Sequence, residues 1–334
     1  LDTIRQEYPS YGTTDFREPA YQIEQENGSR ITGFAYKTHR IFEGKKGLEG
    51  LPATYAEGET DAGSLEIVLE DRLIETELIL SYTIYENYDA VCRSTRFVNK
   101  GSQMLKLTRA MSMSVDLYDS DFEMIQLDGA WSRERHITRR KLSGGIQAVS
   151  SARGASSADH NPFLALCRPG TTEEAGEVFG FSLIYSGNFL AQAEVDRYET
   201  VRVSLGINPF EFYWIIGPGE DFQTPEAAMV YSWQGFNGMS QIYHDLFNQR
   251  LVRGVWRNQE RPVLLNNWEA TYFRFDEEKI LEIAQKAKDL GIELLVLDDG
   301  WFGKRDDAGS SLGDWYSDRS KLPQGVEGLS EKIE

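Results

Sequence analysis

From its start to about Pro218 the chain places apolar residues at every second position, a spacing that one-sided β-strands satisfy and amphipathic helices do not. In Thr76-Glu-Leu-Ile-Leu-Ser-Tyr-Thr-Ile-Tyr85, Leu78, Leu80, Tyr82 and Ile84 share one side. Leu105, Leu107, Met111, Met113, Val115 and Leu117 do the same, with Ser112, Ser114 and Asp116 between them. Further runs span Val178–Tyr185, Asn188–Glu194, Val201–Leu205 and Glu211–Ile216, separated by turn formers such as Asn99-Lys-Gly101, Ser186-Gly-Asn188 and Gly217-Pro-Gly219. Many strands of this kind, each with one buried side, predict a large antiparallel sandwich.

The period then changes. Gly238–Arg250 carries Met239, Ile242, Tyr243, Leu246 and Phe247 at helical spacing, which predicts a linking helix. Beyond it Pro262-Val-Leu-Leu-Asn-Asn267 is a short apolar run. Asp276 is suited to cap a helix whose Ile280, Ile283, Ala284, Ala287 and Leu290 face one way, and Gly291 is suited to end it. Ile292-Glu-Leu-Leu-Val-Leu297 follows as a nearly continuous hydrophobic strand. Strand, helix, strand is the opening of a parallel α/β domain. The expected organisation is a β-sandwich over 1–237, a linking helix region over 238–260 and an α/β segment over 261–334. A closed eight-fold β/α barrel needs about 250 residues, so the 73 from Pro262 to Glu334 are either a small appendage or a barrel cut short.

A formal charge of −18 disfavours nucleic acid and anionic membranes, whose phosphates require a Lys/Arg stripe. A neutral substrate such as a sugar fits better. No run of eighteen apolar residues and no signal-like segment occur in the sequence, which predicts a soluble protein. Cys92 and Cys167 each sit in an apolar run without a CxxC spacing or a His partner, so both are expected to be buried free thiols in a reducing compartment. The first residue is Leu1, which suggests a fragment.

Functional groups of parallel α/β folds gather beyond the C-terminal ends of the strands. Here those ends read Asn266-Asn267-Trp268-Glu269-Ala270 and Asp298-Asp299-Gly300-Trp301-Phe302-Gly303. Trp beside paired carboxylates suits a sugar, whose apolar face stacks on the indole while its hydroxyls donate to the carboxylates. The plainer alternative is a solvated Asp-Asp turn. Two Asp without a nearby His or third carboxylate make a poor Mg²⁺ site, and no metal is expected. Within the sandwich, Leu127-Asp-Gly-Ala-Trp-Ser-Arg-Glu-Arg-His136 interrupts the alternation and presents Trp131, either packed under its own charges or displayed on a loop tip.

Leu127-Asp-Gly-Ala-Trp-Ser-Arg-Glu-Arg, Pro262-Val-Leu-Leu-Asn-Asn-Trp-Glu-Ala and Val296-Leu-Asp-Asp-Gly-Trp-Phe-Gly-Lys-Arg, in this order, resemble the bacterial α-galactosidases of glycoside hydrolase family 36. Arg40-Ile-Phe-Glu-Gly-Lys-Lys-Gly-Leu-Glu-Gly-Leu-Pro52 is similar to that family's N-terminal domain. The resemblance implies a mainly β chain, an antiparallel β-supersandwich lacking its N-terminal strands, followed by the first βα units of a (β/α)₈ TIM barrel. It implies retaining hydrolysis of terminal α-D-galactosyl units from melibiose or raffinose, without a cofactor, by a cytoplasmic homotetramer. By the same resemblance Trp268 walls the galactose pocket, Asp298 and Asp299 bind its hydroxyls, and Trp131 approaches a pocket, in some members a neighbouring subunit's.

The family's nucleophile, in a Lys-Trp-Asp-type motif, and its acid/base have no match before Glu334, so no catalytic residue is expected in this chain and the chain alone is expected to be inactive. Alternatives are a non-catalytic carbohydrate-binding sandwich, an α-N-acetylgalactosaminidase or galactosyltransferase of the same family, and a metal-dependent hydrolase built on Asp298 and Asp299.

Overall fold

The structure, a computed structural model, describes residues 4–12 and 14–334. It is mostly β, with 39% strand and 14% helix, and divides into two compact units that meet in sequence at Arg253 and Gly254.

Two antiparallel sheets build the first unit. Among the described residues the larger has ten strands. Its order is Ala35–Glu43, Ala62–Asp71, Thr76–Tyr85, Tyr88–Asn99, Glu226–Ser232, Val178–Ile184, Phe163–Cys167, Glu123–Asp128 and His136–Lys141, with Asp221–Gln223 pairing to Tyr88–Asn99. The smaller runs Tyr21–Gln25, Leu105–Leu117, Val201–Ile207, Phe189–Val195 and Gly145–Ser150, and Trp214–Ile216 pairs to its long strand. Leu78, Leu80, Phe97, Leu107 and Met111 pack in one apolar cluster, and Met113, Phe181, Phe189, Val203 and Leu205 in a second. Cys92 and Cys167 are buried and free, and burial pushes both thiols above their ordinary pKa.

Three strands depart from the alternation expected of them. In Thr76–Tyr85 the expected inner side ends at Leu80. Beyond Tyr82 the buried residues are Thr83 and Tyr85, while Ile84 is 58% exposed. There the sheet is covered on its other face by the helix Gly235–Arg250, whose Met239, Tyr243 and Leu246 join Tyr85, Cys92 and Val230 in a third cluster. In Leu105–Leu117 both sides are buried, because the N-terminal segment lies over the polar side. Gln6 N donates to Asp116 Oδ2 at 3.0 Å and Arg17 Nη2 to the same oxygen at 3.3 Å, and Ser112 and Ser114 are wholly enclosed. The expected strand Glu211–Ile216 shrinks to Trp214–Ile216, since Glu211 takes a φ of 54° and Phe212 N closes a turn on Pro209 O.

The second unit contains two parallel strands, Leu264–Asn266 and Leu294–Val296, paired Leu264 to Leu294 through Asn266 to Val296. Between them in sequence the helix Glu277–Asp289 starts where expected: Asp276 Oδ1 accepts the Lys279 N–H at 2.9 Å, a side-chain cap worth about 1 kcal/mol. A last helix, Gly325–Ile333, contributes Leu329 to a small core with Phe275, Ile280 and Leu322. Leu264 and Leu294 remain 52% and 41% exposed, so this two-stranded sheet is poorly covered. No helix of the described residues is long and apolar enough to cross a membrane.

Candidate functional site

Both parallel strands stop just before the polar residues that the sequence singles out. Leu294–Val296 ends two residues before Asp298, so strand alternation no longer forces Asp298 and Asp299 to opposite sides. Leu264–Asn266 ends at Asn266, and Trp268 opens the short helix Trp268–Thr271.

The two asparagines join these ends. Asn266 Nδ2 donates to Asp298 Oδ2 at 2.6 Å, and Asn266 Oδ1 accepts the Trp268 N–H at 2.8 Å. Asn267, wholly buried, accepts the Asp298 N–H on Oδ1 at 2.8 Å and donates Nδ2 to Thr271 Oγ1 at 2.8 Å. The strand-end amides therefore fix Trp268 and Asp298 to one another. The Trp268 indole is held edge-to-face by Tyr272, at 5.2 Å between ring centres, and by Phe273, at 4.9 Å.

Asp299 is engaged differently. Its Oδ1 accepts the Gly300 N–H at 2.7 Å and Arg305 Nε at 2.5 Å. The hydrogen bond from Arg305 holds its carboxyl below the usual range, against a weaker push from partial burial. Asp298 Oδ1 in turn accepts the Asp299 N–H at 2.7 Å. Lys321 Nζ donates to the carbonyls of Gly300, Phe273 and Arg305 at 2.9, 3.1 and 3.2 Å, and so ties together the segments that follow the two strands.

Trp131 lies in the first unit, in the turn between Glu123–Asp128 and His136–Lys141, and is 89% exposed. The base of that turn is fixed: Gly129 N donates to Asp159 O at 3.0 Å, and His160 Nδ1 contacts Asp128 Oδ1 at 2.9 Å. Among the described residues no group of three or more His, Cys, Asp or Glu is placed to hold a metal ion.

The two roles of Asn266, the Arg305–Asp299 pair and the Lys321 clamp lie beyond what the sequence alone predicts. The Asn266-Asn267 doublet at a strand end and Arg305 in the Gly-Lys-Arg tail were visible signals. Lys321, in an ordinary polar stretch, gave none.

The model of the glycosyl hydrolase family 36 N-terminal domain matches residues 1–217, and the melibiase model matches residues 221–334. The chain is 61% identical over 333 residues to α-galactosidase AgaA of Geobacillus stearothermophilus, which covers 100% of this chain and 46% of that protein. It is 45% identical over 325 residues to α-galactosidase Mel36A of Lactobacillus acidophilus, with coverages of 97% and 44%. A crystal structure of an AgaA variant in complex with raffinose matches with a TM-score of 0.96 at 60% identity, over 100% of this chain and 46% of that one. The chain thus spans about half the length of the curated relatives it matches. A β-arabinopyranosidase, 9% identical with a TM-score of 0.53, shares the fold alone. With a family model over its first 217 residues, the chain belongs to glycosyl hydrolase family 36.

Proposed function

We propose that these residues are part of a retaining α-galactosidase that releases terminal α-D-galactosyl units from oligosaccharides such as melibiose and raffinose. The observation that carries this reading is the coupling of Trp268 to Asp298 through Asn266. It sets a stacking surface for the apolar face of a pyranose beside an acceptor for its hydroxyls. The α-galactosidase relatives, one of them in complex with raffinose, support the choice of sugar.

In this reading the chain binds substrate and does not cleave it. Retaining hydrolysis uses two carboxyl groups about 5–5.5 Å apart, one as nucleophile and one protonated as general acid. Asp299 is unsuited to the acid role, because a general acid needs a raised pKa and the Arg305 hydrogen bond lowers this one. We place the nucleophile and the acid/base in the part of the relatives' length that this chain does not span, on later strands of a (β/α)₈ barrel. The 89% exposure of Trp131 supports a role at a neighbouring subunit's pocket in a homotetramer, and the two free thiols support a reducing, cytoplasmic setting.

Release of nitrophenol from p-nitrophenyl α-D-galactoside tests the reading, measured for this 334-residue chain and for the longer polypeptide of its gene. Turnover by the longer polypeptide alone is the expected result. Turnover by the short chain would overturn the placement of the catalytic carboxylates, and silence from both would overturn the activity.

A further inference from the structure

At one end of the first unit, residues 47–51, 185–188 and 207–214 converge with the strand Asp221–Gln223 around a cleft of about 790 Å³. The cleft shares no residue with Trp131, Trp268, Asp298 or Asp299. It is large enough for an oligosaccharide, since small-molecule sites span roughly 300–1,000 Å³.

Tyr185, Phe210 and Trp214 line the cleft, and Phe210 and Trp214 are 64% and 51% exposed. These rings are positioned by their surroundings. Trp214 leans on the buried Phe222 at 5.5 Å between ring centres. Tyr185 folds over its own turn, where a Cβ on Gly187 would lie 2.6 Å from the ring, so only glycine lets the ring settle there. Glu211, also in the lining, adopts a φ of 54°, a left-handed conformation that non-glycine residues hold where surrounding structure imposes it.

The charges of the lining narrow the ligand. Arg96 and Asp221 pair with each other, so neither sign is left over from them. Glu49 and Glu211 add carboxylate acceptors, which repel anions and accept from hydroxyl donors. Apolar ring faces beside hydroxyl acceptors match the two aspects of a neutral sugar.

We propose that this cleft is a second carbohydrate site, which holds a neutral oligosaccharide on the β unit. The choice of an α-galactoside as its first probe rests on the function proposed above. The site itself rests on the lining.

The test is a titration of the 334-residue chain with raffinose and with maltotriose, followed by NMR of the tryptophan indole N–H groups. Saturable movement of the Trp214 signal with either sugar is expected. Phe210→Ala is expected to weaken it by roughly tenfold, a change of about 1.4 kcal/mol, and Trp268→Ala is expected to leave it intact. Phe210 is exposed, so its removal tests the site even where Trp214→Ala unfolds the chain. Three results would overturn the site: no saturation by either sugar, a response that Trp268→Ala abolishes and Phe210→Ala does not, or binding of the cation spermidine there in place of sugar. Galactoside turnover by the longer polypeptide is scored separately, so the two readings fail independently.

Discussion

The side-chain amide of Asn266 donates to Asp298 Oδ2 at 2.6 Å, across two neighbouring parallel strands. Its oxygen simultaneously accepts the N–H of Trp268 at 2.8 Å, so one side chain aligns Trp268 with the Asp298 carboxylate. Asn266→Ala removes both contacts and leaves the strands intact. Hydrogen bonds to a charged group are worth about 1.5–3 kcal/mol, and the exposure of Asn266 favours the lower end. In the longer polypeptide the KM for raffinose is expected to rise roughly tenfold, with a smaller change in kcat. Steady-state kinetics checks this, and an unaltered KM would show that Asp298 is positioned without Asn266.

Asp299 offers a pH test. Its carboxyl is held low by the hydrogen bond from Arg305, so ionisation is favoured more in the folded chain than in the unfolded one. That contribution is fully present above the unfolded value of about 3.9 and is lost as pH falls through the lower folded value. Arg305→Gln is expected to move the Asp299 titration upward and to make the second unit yield to acid at a higher pH. Carbon-detected NMR of the aspartate carboxyls measures the shift directly. Equal midpoints in the two proteins would remove Arg305 as its cause.

A second charged cluster has no part in the strand-end site. Arg202, with no exposed surface, donates Nε to Asp116 Oδ1 at 2.7 Å and Nη2 to Asp15 Oδ2 at 2.8 Å. Arg17 meets Asp15 at 3.0 Å. Burial raises the Asp15 carboxyl, yet hydrogen bonds from Arg17 and Arg202 outweigh it and leave the group lowered. Arg202→Met leaves the two buried carboxylates with Arg17 alone as counter-charge, and removing one partner of a buried ion pair typically costs about 3–5 kcal/mol. Urea unfolding of the chain is expected to show a loss of about that size. A loss under about 1 kcal/mol would mean that water reaches Asp116.

The same cluster shows where the sequence was readable and where it was not. Alternation located the strands, because a strand with one wet side must place its apolar residues two apart. Ser112, Ser114 and Asp116 followed that rule and were still buried, because a segment some hundred residues earlier reaches over that side to Asp116, and local spacing carries no record of a distant cover. The cap at Asp276 was legible since its partner, Lys279, is three residues away. The residues at the strand ends could be named because parallel strands bring their C-terminal ends together. Their coupling through Asn266, and the grip of Lys321 on three carbonyls, depend on a register that only the assembled sheet fixes.

The turn that carries Trp131 separates recognition from folding. A Cβ on Gly129 would lie 2.6 Å from Arg133 O and 2.8 Å from Ala158 O, both backbone atoms that cannot swing aside. Gly129→Ala therefore forces the turn off the segment around Asp159 to which it is bonded. Overpacking of this kind costs about 1–3 kcal/mol. Trp131→Ala removes an 89% exposed ring and is expected to change stability by less than about 0.5 kcal/mol, as at most surface sites. If Trp131 serves a pocket in the assembled enzyme, both substitutions raise the KM for raffinose while only Gly129→Ala lowers the unfolding midpoint. A raised KM in Gly129→Ala alone would trace the defect to the displaced turn and leave the indole without a role in binding.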